Sequence, residues 1–285
     1  MIRQIAVIGT GTMGRGIAYL SAVAGYDTVI YDVDSSALDS AKASIESTLK
    51  KGVEKGKVIE ATARAAVQRI HLSTELEPAV RTADLIIEAV PEELDLKMNI
   101  FSQADVICSE ETILASNTSS ISISKLAGSV ERRSQFVGMH FFNPPHAMKL
   151  VEIVRGERTS DQTIQLTREV AEKMGKTPII VRDIPGFATS RLGIAIGLEA
   201  IRMLEDGVAS AEDIDRAMEL GYNHPMGPLR LSDLVGLDVR LDIAEYLAST
   251  LGPRFEPPEL LRRMVREGRL GQKSGKGFYE WNDER

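Results

Sequence analysis

The chain has 285 residues, of which 43% are hydrophobic and 26% charged, with 23 Gly and 11 Pro. At roughly 150 residues per domain this length implies about two domains, and the composition excludes a disordered, collagenous or low-complexity chain. A net charge of -7 and a pI near 5.3 provide no basic field for a polyanion, so nucleic-acid binding is not expected, while small anions can still be held by local backbone dipoles.

The N-terminus, Met1-Ile2-Arg3-Gln4, runs directly into an apolar strand without a charged-then-apolar leader, so no export signal is read. No apolar run approaches the roughly 18 to 20 residues of a membrane span; the one around 192–204 carries Glu199 and Arg202. A single cysteine, Cys108, permits neither an internal disulfide nor a zinc cluster, fits a reducing compartment and reads as a small core hydrophobe. A cytoplasmic protein that neither spans nor is anchored to a membrane is expected.

Residues 5–8 are continuously apolar, as in a strand buried on both faces of a parallel sheet, and Gly9 ends them. A helix over 13–24, a strand over 28–31 and a helix over 35–50 make a βαβ opening. After the lysine-rich stretch 50–57, further buried strands are predicted at 85–89, 113–116 and 136–139, with helices between them. Two more, at 149–154 and 178–181, flank a helix over 161–174. Beyond Pro185-Gly186-Phe187 only helical periods follow, at 187–205, 210–220, 231–249 and 258–267, with Ser210 and Asp213 resembling a capping box. The expected fold is α/β: a Rossmann-type doubly wound sheet over 1–182, then a smaller all-helical domain over 183–285. The helical part is rich in Leu, Ile and Met and must bury apolar faces, so a homodimer through it is expected.

Gly9-Thr10-Gly11-Thr12-Met13-Gly14 is a G-x-G-x-x-G run that follows a buried strand and opens a helix, with Asp32 18 residues beyond Gly14 at the end of the second strand. Gly9 would make the tight turn, Gly11 would admit a pyrophosphate close to the backbone, and Gly14 would let helix and strand approach. The anion would sit on the amides of Thr12 and Met13. A carboxylate at Asp32 can accept from both ribose hydroxyls and repels a 2′-phosphate, and Val33-Asp34-Ser35 supplies no arginine, so the predicted cofactor is NAD.

Of the four histidines, His71, His140, His146 and His224, the second follows a strand at the carboxyl edge of the sheet, with Asn143 three and Glu152 twelve residues on. A His–carboxylate pair there could act as a base with its ring oriented and its charge balanced, although spacing alone favours a structural histidine, because sequence distance does not establish contact. His71 and His146 lack a visible acid partner, His224 lies in a turn between helices, and the scattered spacing indicates no metal site. Tyr279 and Trp281 read as packing residues.

The blocks Ala115-Ser116-Asn117-Thr118-Ser119-Ser120, Gly138-Met139-His140-Phe141-Phe142-Asn143-Pro144-Pro145 and Met148-Lys149-Leu150-Val151-Glu152 closely resemble the motifs of the NAD-dependent L-3-hydroxyacyl-CoA dehydrogenases. The likeness continues through Asp183-Ile184-Pro185-Gly186-Phe187, Pro225-Met226-Gly227-Pro228-Leu229 and Gly236-Leu237-Asp238. It ends at 271–279, so it covers essentially the whole chain, and within the family it is most similar to the short bacterial 3-hydroxybutyryl-CoA dehydrogenases. The resemblance implies that His140 removes the 3-hydroxyl proton, that Glu152 holds it, and that Ser119 and Asn143 hydrogen-bond the substrate oxygens. It also implies that Glu92 and Lys97 lie near the nicotinamide ribose, where a solvated helix face is the competing reading. The family commonly has Asn where this chain has Ser190, a shorter donor at a position that approaches the substrate.

The substrate implied is a short-chain (S)-3-hydroxyacyl-CoA, oxidised to the 3-oxoacyl thioester. Lys42, Lys50, Lys51, Lys55 and Lys57 form a local basic patch that could hold the CoA phosphates, with Lys50 and Lys51 as the leading candidates. The alternatives are an NAD-dependent dehydrogenase of a CoA-free hydroxy acid, of the gulonate or carnitine kind, and a non-catalytic NAD-binding protein.

Overall fold

The computed structural model describes residues 1–281. The chain divides into two compact units, Met1–Ile184 and a second beginning at Pro185. In the first, β1 (Gln4–Ile8), α1 (Thr12–Val23), β2 (Asp27–Tyr31), α2 (Ser35–Glu54), α3 (Glu60–Gln68), β3 (Ile70–Ser73), α4 (Leu76–Val80), β4 (Leu85–Glu88), α5 (Leu94–Ile107), β5 (Ile113–Ser116), α6 (Ile123–Leu126), β6 (Phe136–Phe141), β7 (Leu150–Arg155), α7 (Asp161–Lys173) and β8 (Thr177–Arg182) follow in order. The strands form one sheet in the order β3-β2-β1-β4-β5-β6-β7-β8. All neighbours are parallel except β6 and β7.

The order reverses between β1 and β4, the switch point at whose carboxyl edge such sheets open a crevice. Continuous burial of Ile5, Val7, Ile30, Leu85, Ile87 and Val137 explains why these strands read as unbroken apolar runs rather than alternating ones. Helices cover them with apolar stripes, α1 through Ile17, Ala18 and Leu20, and each large aliphatic group so buried contributes about 1.5–3 kcal/mol. Starts are fixed by caps: Asp34 accepts from the N–H groups of Ser36 and Ala37 at α2, and Ser160 from Thr163 at α7.

The second unit is helical: α8 (Thr189–Glu205), α9 (Ala211–Tyr222), α10 (Pro228–Val235), α11 (Leu237–Leu251) and α12 (Glu259–Arg266). Ile194, Leu198, Ile201, Leu229, Leu237, Leu247 and Leu261 form its core. Two buried carboxylates stitch it together. Asp215 accepts from the N–H groups of Leu229 and Arg230 and from the Tyr279 hydroxyl, and Asp233 accepts from the N–H groups of Phe278 and Tyr279 and from Trp281 Nε1. Tyr279 and Trp281 thus pack the end of the described chain against α9 and α10.

Four sequence expectations change. The helix predicted over 35–50 continues to Glu54, so Lys51 stands within α2 rather than beyond it and Lys50 is not its last residue. Strand β6 continues through Phe141, placing His140 inside the strand instead of after it. The single helix predicted over 231–249 is two helices, broken at Gly236, whose φ of 102° an L side chain rarely adopts. The helix predicted from 187 starts at Thr189, because Phe187 has φ 45°. The Ser210 cap is half of a capping box: its Oγ accepts from the Asp213 N–H, while the Asp213 carboxylate turns back to that hydroxyl.

Candidate active site

At the switch point, Gly9 turns the chain off β1 with φ 99°, a conformation open to glycine. A Cβ on Gly14 would stand 1.9 Å from the Gly9 carbonyl oxygen, so α1 can approach the turn only with glycine there, whereas a Cβ on Gly11 would meet nothing within 4 Å. No side chain caps α1. Its first amides, at Thr12 and Met13, line a cleft of about 750 Å³ together with Gly9, Gly11, Asp32 and Val33. Asp32, at the end of β2, is oriented by its neighbours: Oδ2 accepts from Thr10 N at 3.0 Å and Thr10 Oγ1 at 2.6 Å, and Oδ1 from Asp34 N at 3.2 Å. An open approach at Gly11, uncapped helix amides for an anion and a fixed carboxylate beyond them make a donor and acceptor set that fits a dinucleotide.

A second cleft, about 340 Å³, shares the walls Met13, Ala89 and Val90 with the first and is lined further by Glu92, Lys97, Asn117, Ser119, His140 and Asn143. His140 on β6 and Glu152 on β7 are direct register partners in the antiparallel pair. Their side chains meet, His140 Nδ1 to Glu152 Oε2 at 2.7 Å, with the histidine 7% exposed and the glutamate fully buried. The Phe142 ring lies 4.4 Å from the imidazole. Asn117 fixes the strand end, its Oδ1 accepting from Phe141 N at 2.9 Å. The sheet therefore brings His140, Ser119 and Asn143 to one cleft, next to the glycine-rich turn, with Glu152 buried against His140.

Lys97 is 1% exposed, which overturns the solvated-face reading for it. Its ammonium lies 2.5 Å from Glu88 Oε1 and 3.2 Å from Glu92 Oε2. Glu88 also accepts from Ser116 Oγ at 2.6 Å and Val90 N at 2.8 Å, and Glu92 from Thr118 Oγ1 and from Ser119 N at 3.0 Å. Burial pushes the Glu88 carboxyl above the ordinary glutamate range despite Lys97 and Ser116. At Glu92 burial pushes the same way, but Lys97, the Thr118 hydroxyl and the Ser119 N–H together outweigh it and hold the carboxyl below that range.

A third cleft, about 220 Å³, opens between α1 and α2, lined by Arg15, Tyr19, Ser44, Thr48, Pro145 and His146. It borders the first at Thr12. Tyr19 and His146 meet edge to face at 6.2 Å, giving His146 a place in a cleft wall that its loop position did not signal. His71 is exposed on β3, and Cys108 is buried. Ser190 lies in the first turn of α8, in the second unit, and is half-buried. Among the described residues no group of His, Cys, Asp or Glu is arranged to hold a metal ion, and no helix is long and apolar enough to cross a membrane.

A doubly wound sheet with a dinucleotide cradle at its switch point, opening on a histidine–carboxylate pair, defines an NAD-dependent oxidoreductase. Within that class the chain belongs to the 3-hydroxyacyl-CoA dehydrogenase family. Residues 4–184 match the model of the 3-hydroxyacyl-CoA dehydrogenase NAD-binding domain, and residues 186–281 that of its C-terminal domain. It is 47% identical over 279 residues to a probable 3-hydroxybutyryl-CoA dehydrogenase of Deinococcus radiodurans, covering 98% of this chain and 100% of that one. A 3-hydroxybutyryl-CoA dehydrogenase of Clostridioides difficile is 43% identical over 98% of this chain and 99% of its own. The crystal structure of (S)-3-hydroxybutyryl-CoA dehydrogenase from Ralstonia eutropha superposes with a TM-score of 0.96 at 43% identity, covering 99% of this chain and 100% of that one.

Sequence reasoning missed Glu88, although an acid closing the apolar run Leu85-Ile86-Ile87 was a usable signal: a buried carboxylate there needs a cation, and Lys97 supplies it.

Proposed function

We propose that the chain oxidises (S)-3-hydroxybutyryl-CoA, or a similar short (S)-3-hydroxyacyl-CoA, reversibly to the 3-oxoacyl thioester. The observation that carries this reading is the His140–Glu152 pair in a cleft that also presents Ser119 and Asn143 and adjoins the dinucleotide cradle. With Nδ1 engaged by Glu152, the neutral ring keeps Nε2 as its basic nitrogen, which takes the 3-hydroxyl proton. Glu152 holds the ring's orientation and offsets the imidazolium charge as it forms. Ser119 and Asn143 donate to the substrate oxygens, fixing C3 and stabilising negative charge that develops on them. NAD, when bound in the cradle, would supply the acceptor for the hydride leaving C3.

Thr12 and Met13 hold the pyrophosphate through their amides, Asp32 takes the adenosine ribose, and Glu92 with Lys97 borders the nicotinamide ribose. The CoA arm lies along the α1–α2 cleft, where Lys51 and Lys55 continue the stripe of Ser44 and Thr48 on α2 at helical spacing and Lys50 faces away from it. The helical unit pairs two subunits; Leu192 and Ile196 on α8 and Leu231, Leu234 and Val235 on α10 are exposed apolar groups that support this.

The test is NADH formation from (S)- and (R)-3-hydroxybutyryl-CoA, 3-hydroxybutyrate and gulonate compared side by side. Turnover of the (S)-thioester is expected. Turnover of the free acids alone would overturn the CoA assignment, and NAD binding without any turnover would overturn the enzymatic one.

A further inference from the structure

The strands that carry His140 and Glu152 are joined by a loop over 142–149 that holds Asn143 and the walls of two clefts, and one buried cation outside both clefts reaches into it. Lys176 follows the α7 helix and is 9% exposed. Its ammonium donates to the carbonyl oxygens of Pro145 at 2.5 Å and Met148 at 2.8 Å. Inside the loop, the N–H groups of Ala147 and Met148 both donate to the Pro144 carbonyl, at 3.0 and 3.1 Å. On the other side Pro145 abuts α1 so closely that a Cβ on Gly16 would lie 2.7 Å from its ring. The loop is therefore clamped between the bare Gly16 and the Lys176 ammonium.

We propose that Lys176 is a positioning residue that pins the β6–β7 loop, and through it sets where Asn143 and the Pro145–His146 wall meet the acyl substrate. A lysine suits the place: two carbonyls converge on one point, and a compact ammonium with three donors serves both. Without it the buried Pro145 carbonyl and the part-buried Met148 carbonyl lose this partner, and the loop is free to leave α1. The kinetic consequence rests on the acyl-CoA reading above, whereas the clamp itself does not.

The experiment compares Lys176→Met, Lys176→Gln and Lys176→Arg with the wild type. Hydrogen–deuterium exchange over 143–149, in the protein without ligands, reads the clamp; KM for (S)-3-hydroxybutyryl-CoA against KM for NAD reads its effect. In Lys176→Met, exchange at Ala147 and Met148 is expected to accelerate about tenfold and the acyl-CoA KM to rise about tenfold, with the NAD KM within about twofold of wild type. Lys176→Arg restores most of both. Unchanged exchange in whichever of the Met and Gln variants folds would overturn the clamp, and parallel changes in the two KM values would overturn its assignment to the substrate. A wild type inactive on the thioester overturns the acyl-CoA reading instead, and the exchange result still decides the clamp.

Discussion

His140 and Glu152 face each other across the antiparallel β6–β7 seam, with Nδ1 and Oε2 2.7 Å apart. The twelve-residue interval between them is the length of the hairpin that folds them together. A cross-strand pair of this kind is held by backbone hydrogen bonds on both sides, so the imidazole is oriented before any ligand arrives. Removing the base and removing its orienting charge should therefore separate in magnitude. His140→Asn is expected to lower kcat by about 10²- to 10⁴-fold. Glu152→Gln, which can still accept from Nδ1 but carries no charge, is expected to lower it by a smaller factor, about 10- to 100-fold, with the NAD KM little changed. Steady-state kinetics of both variants checks this, and equal losses would mean that the carboxylate does more than orient and balance.

The glycine-rich turn allows fold and cofactor roles to be told apart. A methyl group on Gly14 would collide with the Gly9 carbonyl, which is backbone and cannot swing aside, so Gly14→Ala is expected to lose several kcal/mol of stability or fail to fold. A methyl on Gly11 meets open space, so Gly11→Ala should melt within a few degrees of wild type. If the pyrophosphate approaches there, the same variant raises the NAD KM by about tenfold or more while leaving the acyl-CoA KM nearly unchanged. Thermal melts and initial rates decide both halves.

Much of this was legible in the sequence because it rests on local chemistry. The buried strands read as apolar runs, the turn as glycines at fixed offsets, and the histidine as one followed by an acid and an amide. Three features were hidden for physical reasons. The break at Gly236 looked like helix because its flanks, Leu231-Ser232-Asp233 and Leu237-Asp238, keep helical periodicity, and only backbone φ distinguishes a tolerated glycine from a stop. Lys97 looked solvated because charge alone does not reveal that Glu88, nine residues earlier on a different element, buries it. Lys176 gave no signal at all, since its partners are backbone carbonyls some thirty positions away.

The course of α2 sharpens the lysine prediction. Lys51 and Lys55 fall on the face of Ser44 and Thr48, which line the α1–α2 cleft, while Lys50 is rotated well off that stripe. Lys51→Glu and Lys55→Glu are therefore each expected to raise the acyl-CoA KM about three- to tenfold at low ionic strength, with the effect shrinking as salt approaches about 0.5 M. Lys50→Glu should do much less, and none of the three should move the NAD KM. An equal response at Lys50 would point to the general field of the helix rather than to a contact.

The ion cluster, with Glu88 and Lys97 buried and Glu92 38% exposed, gives opposite pH signatures at its two glutamates. Glu92 is held below its ordinary value near 4.5, because Lys97, Thr118 and the Ser119 N–H outweigh its burial. Its stabilising contribution is therefore complete above that value and is lost as pH falls through the depressed one. Glu88 is raised, chiefly by burial, so the native state takes up a proton there before the unfolded chain does, and the wild type gains stability as pH falls through the raised value. Urea midpoints of wild type, Glu92→Gln and Glu88→Gln measured from pH 7 to pH 3 should show this as two trends. Relative to Glu92→Gln the wild type's advantage shrinks on acidification, and relative to Glu88→Gln its position improves. Parallel trends at the two sites would mean that the lysine divides its charge between the carboxylates differently from the distances of 2.5 and 3.2 Å.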